Sequence, residues 1–389
     1  MSAKNVGLRN IEVADTKVCA IDGENGKLIY RGYDILDLAK NSSFEETAYL
    51  LLFSDLPTKE QIENFKTTLI SKRDIPSAII KSMSQRPKSA SSMDVLQSTI
   101  SMLPDDDKNI NDDSKEANHE RGMNLIAKFP TMVATWDRIR KNLPLVKPSD
   151  KLSHSANFLY MLTGKEPDRE FAKDFDICLV LHAEHSFNAS TFAAREVAST
   201  RAHMYASIAA AIGALSGELH GGANVKVMQA LREIGSVENV EMWVKTKFDV
   251  GERIMGMGHA VYKTDDPRAK VLREMSKRLA SKLNSPLYDI TKKLEDITRE
   301  EMKKRKDVEI FANVDLYSAS VYYMMGIELD LNSPIFSIAR MAGWAAHVIE
   351  EKFAEAQPKP MLYRPTATYV GKYCGPLGCE YRPLQKRRQ

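Results

Sequence analysis

Residues 205–215, YASIAAAIGAL, are small and apolar on every side, and this segment constrains the chain more than any other. A helix with no polar face must be enclosed by other helices or pressed against a partner subunit. With Met204 included it is the longest apolar stretch, yet it falls well short of the ~20 residues that span a bilayer. A layered helical protein follows, with this segment a candidate for a dimer interface. The rest of the sequence agrees. Ser43 with Glu46, and Thr58 with Gln61, read as capping boxes opening amphipathic runs at 47–53 and 61–70. Ser333-Pro334 reads as the N-cap and first-turn proline of a helix running IFSIARMAGWAAHVIEE. One hairpin is expected, 17–22 with 27–33 around Gly23-Glu24-Asn25-Gly26. Neither strand alternation nor βαβ spacing recurs, so the expected fold class is all-α with a short N-terminal β-hairpin.

At 389 residues the chain exceeds one ordinary domain, and two domains, one interrupting the other, are the default. A formal charge of +3 gives no strong global field, which argues against nucleic acid or an anionic membrane as partner. Any role for arginine is therefore local. No CxxC pair occurs among Cys19, Cys178, Cys374 and Cys379; the last two could bridge or bind metal, but read better as ordinary thiols on a C-terminal tail. The first residues lack the apolar core of a signal peptide, so a soluble cytoplasmic protein is expected. The acidic stretch 104–120 reads as a solvated loop between helices, since its spacing is not that of a calcium loop.

Chemistry-bearing residues gather around glycines. Gly217-Glu218-Leu219-His220-Gly221-Gly222-Ala223 follows the apolar helix, and a helix opening after Gly222 would set its positive end near His220 and favour a neutral ring. The competing reading is a capped turn with an exposed histidine. Gly256-Met257-Gly258-His259 runs on to Lys263 and Arg268. Without a preceding strand or a third glycine this is a poor dinucleotide loop, but its cations suit phosphate and carboxylate groups. Arg340 is the only charge before His347 in its apolar helix and needs an anion, either a protein carboxylate or a ligand. Asp315 alone reads as a helix N-cap. His182-Ala183-Glu184-His185 is not HExxH and has no evident third ligand, so no metal is assigned.

Taken together, ELHGGAN, GMGHAVYKTDDPRAK, the NVD segment and the helix bearing Arg340 occur in the order and spacing of the citrate synthase family, which the chain resembles over nearly its whole length. IDGENGKLIYRGYDILDLA and YRPTATYVG resemble that family's opening hairpin and C-terminal segment. The resemblance implies a two-domain helical fold, with 1–221 and 316–389 forming a large domain that holds the dimer interface and 222–315 a small domain on the coenzyme A side of the cleft. Hinge motion at the glycine-rich junctions follows from it. It implies an acyltransferase that condenses acetyl-CoA, oxaloacetate and water to citrate and CoA, the entry step of the tricarboxylic acid cycle. Asp315 would be the base on the thioester methyl, His220 the donor to the thioester oxygen, and His259 the donor to the oxaloacetate carbonyl. His185, Arg268, Arg340 and, from across a homodimer, Arg364 would bind oxaloacetate. Lys263 and the backbone of Met255, Gly256, Met257 and Gly258 would meet coenzyme A, which is a substrate, with no tightly bound cofactor. Met257 stands where many members have phenylalanine. A simple homodimer is expected, because the extra N-terminal region of NADH-inhibited hexamers is lacking. Two alternatives remain: a 2-methylcitrate synthase using propionyl-CoA, and a non-catalytic helical metabolite-binding protein.

Overall fold

The computed structural model describes residues 7–8, 11–371 and 378–386. Near the start, β1 (Cys19–Asp22) pairs antiparallel with β2 (Lys27–Tyr30), in the register Cys19↔Tyr30 to Asp22↔Lys27. The Asp22 carboxylate closes the turn by accepting from the Asn25 N–H at 3.0 Å. A two-residue strand β3 (Tyr33–Asp34) that the sequence did not signal extends the sheet, after a reversal at Arg31 and Gly32, both at positive φ. Helices α1 (Ile35–Asn41), α2 (Phe44–Phe53), α3 (Lys59–Ser71), α4 (Ser77–Ser84), α5 (Ser92–Ile100) and α6 (Lys115–Arg140) follow. Next come α7 (His154–Thr163), α8 (Arg169–His182), α9 (Ala189–Ser199) and α10 (Met204–Leu215). Both capping boxes form, Ser43 with Glu46 opening α2 and Thr58 with Gln61 opening α3.

A second group of helices, α11 (Ala223–Ile234), α12 (Val240–Asp249), α13 (Pro267–Leu283), α14 (Leu287–Lys306) and α15 (Val314–Met324), packs mainly on itself: α13 and α11 on α15, α12 on α14. Its seams with the rest run where α13 meets α1 and α8, and where α11 meets α16 (Asn332–Phe353). That last helix is the axis of the main body, touching α2, α5, α6, α8, α9 and α10. Apolar on nearly every side, it buries Ile338, Ala342, Trp344 and Val348 completely, as a core helix must. It begins at Asn332 without a side-chain cap, so Ser333 is not the N-cap expected. The Ser333 hydroxyl donates instead to the Gly221 carbonyl at 2.9 Å, tying the start of α16 to the loop bearing His220.

The apolar α10 is enclosed as its composition required, packing on α5, α6, α9 and α16 with Ile208, Ala211, Ile212 and Leu215 buried. Ala206, Ala209, Ala210, Gly213 and Ala214 keep partial exposure along its other side. The acidic stretch is the mostly exposed loop expected as far as residue 114, with Asp105, Asp106, Asp112 and Asp113 at the surface, but it also wraps a buried cation. Arg121 points back from α6, 3% exposed, and gathers the Asp107 carboxylate at 2.8 Å and the carbonyls of Asn109 and Asp112 at 2.6 and 2.7 Å. A buried guanidinium satisfied by a wrapped loop is a tertiary arrangement that local composition does not signal. Residues from 115 on are already helical. Cys19 and Cys178 are buried free thiols, while Cys379 is disulfide-bonded rather than the ordinary thiol expected. Motif spacing does not report which sulfurs a folded chain apposes, and Cys374 lies outside the described residues. Among the described residues, no helix is long and apolar enough to cross a membrane.

Candidate active site

His220 sits in the turn between α10 and α11, and α11 does open immediately after Gly222. The exposed-turn reading fails, because the ring is half-buried and its Nε2 accepts from the Ser190 backbone N–H at 3.3 Å, with the Ser190 hydroxyl at 2.8 Å. Ser190 is the second residue of α9, where N–H groups have no partner within the helix. The Ser190 N–H offers Nε2 a proton, whereas the Ser190 hydroxyl, whose single proton goes to Asn188 Oδ1, offers it an acceptor, so the two contacts favour opposite tautomers. Burial, aided by the Arg340 charge, lowers the ring to about 4, so it is neutral at pH 7. The Ser190 hydroxyl is itself held by Asn188 Oδ1 at 2.8 Å and Trp344 Nε1 at 3.2 Å.

The same device holds His259, with the nitrogens reversed. Its Nδ1 accepts from the backbone N–H groups of Val261 and Tyr262 at 3.0 and 3.2 Å, which assigns the proton to Nε2. Burial, then Arg268, brings this ring also to about 4. The loop before it is pinned by a short antiparallel bridge, Met257↔Ala312, with Gly258 N–H to the Phe311 carbonyl at 2.7 Å and Asn313 N–H to the Gly256 carbonyl at 2.9 Å. Gly256 has φ +84°, and a Cβ there would lie 2.9 Å from Leu316 Cα, so the approach demands glycine. That bridge places the GMGH loop beside the start of α15.

Asp315 is the second residue of α15, and the N-cap is Asn313, whose side chain accepts from the Asp315 N–H at 3.0 Å. The aspartate side chain is thus released from the capping task that its sequence context suggested. No hydrogen bond engages its carboxylate among the described residues. Burial raises its carboxyl to about 6, against the opposing pull of Arg268 and Arg340.

Arg340, 1% exposed, decides between its two readings: among the described residues no carboxylate lies within 4.0 Å of it. Its Nε donates to the His182 carbonyl at 2.7 Å, its guanidinium lies 4.5 Å from the Phe336 ring centre, and burial lowers it to about 10. Arg268 differs. It forms a two-pronged pair with Asp266, Nε to Oδ1 at 2.9 Å and Nη2 to Oδ2 at 2.7 Å, which keeps it charged despite burial. Asp266 Oδ2 also accepts the Val314 N–H at 3.2 Å, joining the starts of α13 and α15. His185 is buried beside these groups, its Nε2 3.2 Å from the Tyr262 hydroxyl and its ring 5.2 Å from that of His259. Burial, Arg268, His259 and Arg340 all keep it neutral.

Both guanidinium charges therefore act on His185 and Asp315, Arg268 acts on His259, and Arg340 acts on His220. Two imidazoles offering N–H groups and one carboxylate of raised basicity surround a pair of buried cations. Such a set can bind a dianion, remove a proton from carbon and stabilise the resulting oxygen charge. Arg364 is not brought to this cluster by its own chain; it is exposed and donates to the Pro365 carbonyl at 2.9 Å. Lys263 is also exposed, with its backbone N–H on the Gly23 carbonyl at 2.9 Å. A cleft of about 400 Å³ lined by Arg253, Ile254, Met257, Lys306 and Ile310 adjoins the Met255 to Gly258 backbone. A groove of about 720 Å³ lined by Asp174, Val271, Arg278 and Lys282 contains none of these groups.

Among the described residues no group of three or more His, Cys, Asp or Glu is placed to hold a metal. His182 and Glu184 serve other ends: His182 Nδ1 meets the Cys178 carbonyl at 2.7 Å, and Glu184 meets His347 at 2.9 Å. Sequence reading missed Ser190, Tyr262 and Asn313 as supports. Tyr262 and Asn313 lie within segments already singled out, but no local signal marks which neighbour a histidine ring will find.

The family model described as citrate synthase, C-terminal domain, matches residues 7–366. A citrate synthase of Synechocystis sp. is 42% identical over 98% of this chain and 93% of its own. A 2-methylcitrate synthase of Shewanella oneidensis is 36% identical over 94% of each. Among solved structures, a ternary complex of citrate synthase from the thermophilic archaeon Thermoplasma acidophilum with carboxymethyl coenzyme A and oxaloacetate superimposes with a TM-score of 0.89, at 30% identity, covering 98% of both chains.

Proposed function

The chain belongs to the citrate synthase family, and from that premise we propose that it condenses acetyl-CoA with oxaloacetate through His220, His259 and Asp315. The observation carrying this reading is one desolvated carboxylate set with two buried imidazoles, each held through one nitrogen so that the other is left to the substrate: Nδ1 of His220 and Nε2–H of His259. Asp315, desolvated and unbonded, removes a proton from the thioester methyl group. The electron pair moves onto the thioester oxygen, where His220 donates a hydrogen bond from Nδ1. A carboxylate is a weak base for a carbon acid, so a donor already aimed at that oxygen does most to lower the barrier. The enol carbon attacks the oxaloacetate carbonyl, whose oxygen takes up the proton offered by His259 Nε2. Water then cleaves the thioester to citrate and CoA, making the reaction effectively irreversible.

Arg340 and Arg268, with His185, hold the oxaloacetate carboxylates, and the lack of a carboxylate on Arg340 among the described residues supports its part. Arg364, exposed in its own chain, completes the site of a second subunit in a homodimer whose contact includes the small-residue side of α10. The cleft beside Met255, Gly256, Met257 and Gly258 seats the adenine end of coenzyme A, with Lys263 near its phosphates. Residues from about 222 to about 315 move as a small domain about the glycine junctions, and α15 travels with them because it packs on α11 and α13. Closure would exclude water until the carbon bond has formed.

Thiol release from acetyl-CoA in the presence of oxaloacetate tests the reading directly. Turnover that is lost in Asp315→Ala supports it; binding of both ligands without turnover would replace it with a metabolite-binding role. Similarity to a 2-methylcitrate synthase supports propionyl-CoA as the alternative substrate of this chain, since one methylene is worth only about 1 to 3 kcal/mol in an apolar pocket. A large propionyl-CoA advantage in kcat/KM would reverse the order of the two.

A further inference from the structure

Two buried charges of opposite sign lie on facing elements of the site without touching. Arg340 is anchored by a neutral group, the His182 carbonyl. Glu184, fully buried, is likewise anchored by a neutral group: its Oε1 meets His347 Nε2 at 2.9 Å, and its Oε2 has no hydrogen-bond partner. His347 Nδ1 lies 3.0 Å from Arg195 Nη1 and 3.8 Å from Glu350 Oε2. A guanidinium only donates, so that nitrogen carries the lone pair and the single ring proton points at Glu184. Arg195 is already matched by Glu350 at 2.7 Å and Glu351 at 2.6 Å. Within 4.0 Å among the described residues, Glu184 therefore meets this imidazole and no lysine or arginine.

The placement is built into α16. Gly343 follows Arg340 by three residues, on the same side of the helix, and a Cβ there would stand 2.2 Å from Glu184 Oε2 and 2.4 Å from the Ala183 carbonyl oxygen. Only a glycine lets the carboxylate lie against that face. Of the negative groups acting on Arg340, Glu184 acts most strongly. Buried ions left to themselves are drawn into contact or excluded from the fold; these two are each held by a neutral hydrogen bond instead.

We propose that Glu184 is a positioning residue, a counter-charge kept out of contact with Arg340 so that the guanidinium is balanced in the empty site yet keeps its remaining N–H groups open to a substrate carboxylate. The inference rests on Arg340 being an oxaloacetate ligand. A direct ion pair would occupy the nitrogens that the substrate needs. No counter-charge at all would leave a buried cation unmatched until a dianion arrived. Removing the negative charge at constant shape therefore weakens the empty protein and strengthens its complex.

Glu184→Gln does this, since the amide oxygen still accepts from His347 Nε2. The expected result is a lower Tm without ligand, a larger rise in Tm with saturating oxaloacetate than the parent shows, and an oxaloacetate Kd that falls roughly fivefold, the order of effect of a unit charge out of contact with the substrate. Glu184→Asp, which retains the charge, should show the parent's rise. A merely structural role predicts the opposite, a lower Tm with weaker oxaloacetate binding, and that outcome overturns the inference. Should the glutamine variant not fold, Glu184→Gln with Arg340→Met should, because the cation needing balance is gone; a double variant no more stable than the single overturns the inference as well. A parent unmoved by oxaloacetate defeats the functional reading together with this one, whereas a responsive parent and an equally responsive glutamine variant defeat this one alone.

Discussion

Protonating Asp315 is the perturbation whose outcome the geometry defines best. Burial carries its carboxyl from 3.8 to about 6, equivalent to about 3 kcal/mol against the ionised form. The group is thus mostly ionised at pH 7.5 and a stronger base than an ordinary aspartate. Thiol release measured across pH at saturating oxaloacetate should show kcat/KM for acetyl-CoA falling on the acid side with an apparent value of about 6 or somewhat higher, because the bound dianion adds negative charge beside the carboxylate. His220 and His259, at about 4, stay neutral through that window and add no limb of their own. Asp315→Asn preserves shape and removes the base, so turnover should fall by about 10² to 10⁴. Stability runs the other way. The folded carboxyl binds its proton more tightly than the unfolded one, so the parent loses stability as pH rises from about 4 to about 6. Asp315→Asn escapes that loss and should exceed the parent by up to about 3 kcal/mol at pH 7.5, with no advantage at pH 4. An activity profile level down to pH 5, or an asparagine variant less stable than the parent at pH 7.5, would refute the desolvated-base argument.

Arg340→Met removes a buried cation that has no carboxylate within 4.0 Å among the described residues, so the oxaloacetate KM should rise about 100-fold, while the Tm of the empty protein falls because Glu184 loses its counter-charge. Gly256→Ala places a methyl group 2.9 Å from Leu316 Cα at φ +84°; a cost of about 2 to 4 kcal/mol in the urea midpoint, with kcat reduced through the displaced GMGH loop, is expected. Mixing Arg364→Ala subunits with Asp315→Asn subunits tests the shared site. Hybrids regain activity at one site in two if Arg364 acts across the dimer, and none if it acts within its own chain.

The sequence alone determined the class of fold and the identity of the reactive groups. Local rules suffice for the first, because the capping boxes at Ser43 and Thr58, the apolar period of each helix and the glycine turn of the hairpin are written in neighbouring residues. Even there it failed at Ser333, whose hydroxyl is drawn to Gly221 by packing, and at β3 and Arg121, where partners come from distant parts of the chain. Motif order led to His220, His259 and Asp315, but their states are properties of the assembled structure. The nitrogen that carries the proton on His259 is chosen by the backbone N–H groups of residues 261 and 262, and the His220 ring is turned by Ser190. Asp315 is free to act as a base because Asn313 takes the cap. Arg340 was recognisable as a charge in need of an anion, whereas its separation from Glu184 depends on a glycine one helical turn away and on a histidine held neutral by Arg195. Charge and hydrogen-bonding potential are properties of a residue; desolvation, tautomer and the distance between ions exist only once the chain has closed around them.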